Sequence, residues 1–69
     1  MRTGIYKHYQ EKLYQVIDTA KHTETLQELV VYKALYDNSQ LWVRPLEMFN
    51  EKVLLHGKNI PRFEFISEK

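Results

Sequence analysis

The chain alternates short apolar runs with polar breaks, and the rhythm within the runs is mostly two residues. Ile5-Tyr6-Lys7-His8-Tyr9 is followed by a polar break at Gln10-Glu11-Lys12, then by a second run from Leu13 to Ala20 centred on Tyr14, Val16 and Ile17. Runs of this length, rich in aromatic and β-branched residues, predict two strands joined by a tight connection. No glycine or asparagine in the break supplies a positive φ, so the turn type is left open.

The stretch from Thr23 to Tyr36 carries two competing signals. Thr25 and Glu28 match a capping box, and Leu26, Leu29 and Val30 have helical spacing. Val30-Val31-Tyr32 argues for a strand, in which Val30, Tyr32 and Ala34 share one face. The spacing predicts a short helical turn over Thr25–Leu29 and a strand from Val30 to Tyr36. Asp37-Asn38-Ser39-Gln40 reads as a polar turn, and Leu41-Trp42-Val43-Arg44 as a short strand that Pro45 ends for want of an N–H. One or two helical turns come next over Leu46–Glu51, since proline suits the first helical position. Val53-Leu54-Leu55 is a strand and His56-Gly57-Lys58-Asn59 a turn, with Gly57 free to be left-handed. Pro61 restricts the next strand to an edge or to the approach of the paired region, and Phe63 and Phe65 alternate with Arg62 and Glu64 in a last strand. The expected fold class is therefore mainly β: a small SH3-like barrel or roll of five to six short strands with one or two short helical turns, closed so that few edges are exposed.

Composition narrows what such a fold can do. Sixty-nine residues make one domain, 1–69, with no linker or internal repeat. The chain has no cysteine, which removes disulfides and thiolate zinc sites and points to a reducing, cytoplasmic setting. No apolar run reaches the roughly 20 residues of a membrane span, and the start has no signal-peptide core. Ten basic against nine acidic residues give a formal charge of +1 and a pI near 8.0. That balance does not support a dedicated duplex-DNA binder, whose pI usually exceeds about 9.

Gly4-x-Tyr6-x-His8-Tyr9, His22-Thr23-Glu24-Thr25, Val30-Val31-Tyr32, Leu41-Trp42-Val43-Arg44-Pro45, Met48-Phe49 and Arg62-Phe63 occur in this order. Together they resemble the bacterial domain of unknown function 1653 family over nearly the whole chain. The resemblance implies an SH3-like β-roll in a small bacterial cytosolic protein, and no activity. The chain departs from it where many relatives carry glycine, near Glu11 and in the turn before the Leu-Trp segment.

Catalytic chemistry is thinly represented. His8, His22 and His56 are the histidines, and His22 with Glu24 is the one His-x-Glu pair. A deaminase-type zinc site would need a Pro-Cys-x-x-Cys partner that is missing. Ser39 and Ser67 lie in no nucleophile elbow, and two isolated glycines make no phosphate loop. The expectation is no cofactor, no metal and no catalytic residue, with a small enzyme using His22 and Glu24 as the least favoured reading.

The nine aromatic residues carry more information, because a core this small cannot centre all of them. On the Leu41–Arg44 strand, alternation separates Leu41 and Val43 from Trp42 and Arg44. With the aliphatic pair facing the core, Trp42 and Arg44 would be displayed together, an indole beside a guanidinium. The sequence thus points to a non-catalytic binding module whose surface centres on Trp42 and Arg44, flanked by Tyr32, Tyr6, His22 and Glu24. Its ligand class is a single-stranded nucleic acid, a nucleotide-like molecule or a peptide. The alternative is a docking or oligomerisation protein, a homodimer included, using the same patch. The bland counterpart has Trp42 covering the core and Arg44 paired with Glu24 or Glu47. Lys7, Lys12, Lys21 and Lys33 could form a basic face, though edge lysines on a solvated sheet explain them as well.

Overall fold

The structure, a computed structural model, describes residues 2–36 and 40–68. The turn expected over Asp37–Gln40 lies outside the described residues except for Gln40. Seven strands and one short helix run in chain order: β1 Gly4–His8, β2 Leu13–Lys21, β3 Glu28–Ala34, β4 Leu41–Pro45, α1 Leu46–Phe49, β5 Lys52–Leu55, β6 Lys58–Pro61 and β7 Phe63–Ser67. The mainly β expectation with one helical turn holds. The extra strand is β6, which the two polar residues Lys58 and Asn59 disguised as turn.

All pairing is antiparallel. The main sheet runs β4-β3-β2-β1-β7, and β5 with β6 makes a separate hairpin. The main sheet does not close on itself through hydrogen bonds, so β4 and β7 are edges, contrary to the expected closure.

Three turns place a non-glycine residue in the left-handed region. Glu11 has φ 77°, with its N–H bonded to His8 O at 2.8 Å and His8 N–H bonded to Lys12 O at 2.8 Å. This is a type I turn followed by a left-handed residue, the usual three-residue hairpin, here with glutamate where glycine would be unstrained. Leu26 has φ 62°, which rules out the helical turn expected over Thr25–Leu29. The capping-box residues do other work: Thr25 Oγ1 accepts from Gln27 N at 3.2 Å, and Glu28 opens β3 opposite Lys21. The β5–β6 turn has positive φ at both His56 (50°) and Gly57 (77°), the two-residue hairpin form whose twist matches the strands.

One face of the main sheet builds the core. Tyr6, Val16, Val30 and Tyr32 are buried on it, with Phe63 from β7 and Phe49 from α1. Phe49 and Phe63 stack at 4.1 Å with 3° between their planes. Tyr6, Tyr14 and Tyr32 meet this stack edge-on at 5.4–5.7 Å. Edge-to-face and offset aromatic pairs add about 0.5–1.5 kcal/mol each beyond area burial, a large share of the stability of so short a chain. α1 is short because Pro45, at φ −54°, starts it without a side-chain cap, and Asn50 ends it one turn later.

Candidate functional site

The register of β3 and β4 decides where the predicted site residues point. Tyr32 lies opposite Trp42, and Val30 opposite Arg44. Cross-strand partners share a face. Tyr32 and Val30 face the core, so Trp42 and Arg44 stand on the core side too, while Leu41 and Val43 point to the outer face. The alternation is the one expected, but its direction is reversed. Because β4 is an edge strand, its core-side residues are not sealed in: Trp42 remains 52% exposed and Arg44 is half-buried.

Arg44 reaches inward over the aromatic cluster. Its guanidinium lies 5.5 Å from the centre of the Phe63 ring, a cation–π distance. Among the described residues no carboxylate pairs with it; the ion pairs are Arg2–Glu68, Lys7–Glu11 and Arg62–Glu51. The expected partners Glu24 and Glu47 do not serve it. Arg44 therefore presents an uncompensated positive charge at the margin of an aromatic bed.

Around it the same bed continues outward. Tyr14 packs edge-on to Phe63, Tyr32 and Tyr36, each at 5.5 Å, and its hydroxyl shares a 2.8 Å hydrogen bond with that of Tyr36. Burial, then the Tyr36 hydroxyl, push the Tyr14 phenol up to about 12. Tyr36 is 53% exposed, and the Lys12 ammonium sits 4.5 Å above its ring. His8 packs on Tyr9 at 4.5 Å and edge-on to Phe63 at 4.9 Å. Burial, followed by the charges of Arg62 and Arg44, lowers its imidazole below the usual histidine range. Its Nδ1 accepts from Gln10 N at 3.1 Å, which a neutral ring can do.

The other predicted site residues separate. Tyr6 and Tyr32 are core residues, 7% and 6% exposed, and Tyr6 donates its hydroxyl to Arg2 O at 2.8 Å. They form the floor under the rim and present no surface of their own. His22 and Glu24 lie in the β2–β3 turn. Six residues separate His22 from Val16, the partner of Tyr32, or roughly 18 Å along the strand. His22 Nδ1 accepts from Glu24 N at 3.0 Å and Thr25 N at 3.3 Å, so the His-x-Glu spacing serves a turn, with the glutamate contributing its backbone. Among the described residues no group of three His, Cys, Asp or Glu could hold a metal. An open cleft of about 420 Å³ lies elsewhere, lined by Lys7, His8, Tyr9, Glu11, Leu55, Ile60, Pro61 and Glu64. The four lysines do not share a face: Lys7 pairs with Glu11 at 2.8 Å, Lys12 covers Tyr36, and Lys33 and Lys21 fall on opposite sides of the sheet.

Sequence reasoning missed Tyr14, Tyr36 and Lys12 as members of the rim. The available signal was their position at the ends of β2 and β3, next to the predicted turns. Only the Tyr14↔Ala34 register brings them together.

A seven-stranded arrangement with an aromatic floor and, among the described residues, a cation without a carboxylate partner at an open sheet edge defines a small, mainly β protein. Comparison with known proteins places it in a family. Residues 4–65 match the family described as protein of unknown function (DUF1653), and the chain belongs to that family. The crystal structure of a DUF1653 protein from Bordetella bronchiseptica is similar to it, with a TM-score of 0.90 and 31% identity over 100% of this chain and 91% of that one. No curated protein matches the chain. No helix among the described residues is long and apolar enough to cross a membrane.

Proposed function

We propose that this chain is a non-catalytic binding module, an SH3-like roll whose β4 rim takes a ligand that joins a flat ring to negative charge, such as a nucleotide or a single-stranded nucleic acid. One observation carries the reading: among the described residues Arg44 has no carboxylate partner, and it is held over Phe63, two residues from the exposed indole of Trp42. An unpaired guanidinium on a half-buried aromatic bed is poised to pair with phosphate, and the indole offers a stacking plane beside it. Tyr36 with Lys12 repeats the same combination further along the bed. The SH3-like reading rests on the strand order, in which β7 returns after the short helix to pair with β1. The cysteine-free composition fits a cytoplasmic setting.

The test is an NMR titration with adenosine monophosphate, short oligo-dT and oligo-rU, and an uncharged peptide pool. The Trp42 indole N–H and the Arg44 side chain are expected to shift with the nucleotide probes. Stacking of one base is worth about 1–3 kcal/mol, so Trp42→Ala should weaken binding about 5- to 150-fold. Silence at the indole up to millimolar nucleotide would remove the proposal.

A further inference from the structure

The backbone of β4 is itself a binding feature, independent of the ligand reading. Pro45 pairs in register with Leu29. Having no N–H, it can occupy only the kind of position whose backbone groups face away from β3. Residues two apart share that orientation. Val43 and Leu41 therefore aim their N–H and C=O groups away from the sheet, while Trp42 and Arg44 bond to β3. Among the described residues no other backbone partner takes up the Leu41 or Val43 groups.

The edge is also thinly defended over its first three residues. Leu41, Trp42 and Val43 are 56%, 52% and 59% exposed, and none is charged. Soluble proteins usually guard an edge with charge, a bulge or a cover. The other edge, β7, shows such guards: Glu64 on the strand, a bulge opposite Ile5/Tyr6, and Glu68 beside it paired with Arg2 at 3.9 Å. β4 carries Arg44, whose charge turns to the inner face, and ends on the proline, while its outer face from Leu41 to Val43 holds no charge.

We infer that β4 pairs with β4 of a second copy of this chain, antiparallel about a two-fold axis at Trp42. In that register Leu41 meets the partner's Val43 twice, and all four outward backbone groups of residues 41 and 43 on each chain are bonded. Centring the pair on Val43 instead would oppose Leu41 to Pro45, which cannot donate. The Leu41–Val43 contacts fall on the outer face, and the two indoles meet on the inner face. Charge does not oppose the union: Leu41 to Val43 are uncharged, the chain carries a formal +1, and the two Arg44 residues end about 13 Å apart, beyond the roughly 8–10 Å screening length. Three half-exposed side chains fall short of the roughly 800 Å² per partner of a standard interface, so the dimer is weak and concentration-dependent.

Sedimentation of the full chain tests this. The mass should rise from 8.4 kDa towards twice that between about 10 μM and 1 mM, with the Leu41 and Val43 amides becoming protected from exchange over the same range. Val43→Lys places a charge at the join and Val43→Pro removes only an outward donor; each should hold the chain monomeric while its circular dichroism stays native. Arg44→Ala should leave the dimer intact while removing nucleotide shifts, which separates this inference from the ligand reading. A monomer at 1 mM overturns it, whether or not β4 then accepts an extended peptide. So does a dimer that both Val43 variants leave unchanged.

Discussion

Gly4 on β1 leaves no room for a side chain against the Ser67–Glu68 backbone, and replacing it with alanine measures what that approach is worth. Its φ of 138° lies in a region that residues with a Cβ rarely enter. Holding alanine there costs about 1–3 kcal/mol. The new methyl would also overlap the carbonyl oxygen of Ser67 and lie 2.9 Å from Glu68 Cα. Both are backbone, so neither can rotate aside, and the Ile5↔Ser67 end of the pairing must open. One or two lost hydrogen bonds add about 1 kcal/mol each, for a total near 2–5 kcal/mol. A chain of this length has about 3.5–10 kcal/mol of stability in all. Gly4→Ala should therefore lower Tm by at least about 8 °C, or leave the chain unfolded at 25 °C. Gly57→Ala is the control: φ is 77° but nothing lies within 4 Å of the added methyl, so only the backbone strain of about 1–2 kcal/mol applies. Urea unfolding followed by circular dichroism compares the two. Equal losses for both variants, or a Gly4→Ala midpoint within error of the parent, would refute the close-approach argument.

Three further outcomes are expected. Glu11→Gly relieves a left-handed glutamate worth about 1–2 kcal/mol, against the entropy of glycine and the exposed Lys7 pair, so thermal melts should stay within about 1 kcal/mol of the parent, in contrast to Gly4→Ala. Tyr36→Phe removes the hydroxyl that helps hold the Tyr14 proton, so in absorbance titrations at high pH the last of the tyrosines to ionise should move down from about 12 yet stay above 10, because burial persists. Arg44→Ala should raise the His8 pKa, read by NMR, while leaving it below the ordinary value, since burial is the larger cause. The folded protein binds fewer protons at His8 than the unfolded chain, so stability falls as pH drops below about 6.5 and through the folded pKa. That acid loss should be smaller in the variant.

Much of this molecule is local and was legible in the chain. Alternation fixed β1, β2, β4 and β7, because a strand exposes its period in its own residues. Gly57 marked the one turn whose φ demands were met by glycine, and Pro45 marked the end of β4. The sequence also separated Trp42 and Arg44 from Leu41 and Val43. It did not say which pair faces the core, since a two-residue period is symmetric between the two faces. Only the register against Tyr32 and Val30 breaks that symmetry, and it does so in favour of the larger, more polar pair because β4 is an edge with room beside it. Tertiary structure likewise overrode the Thr25–Glu28 capping signal, turning it into a hairpin loop closed by His22. It carried His22 and Glu24 away from the rim and drew Tyr14, Tyr36 and Lys12 onto it. Those outcomes depend on pairings between residues far apart in sequence, and no local pattern encodes such distances.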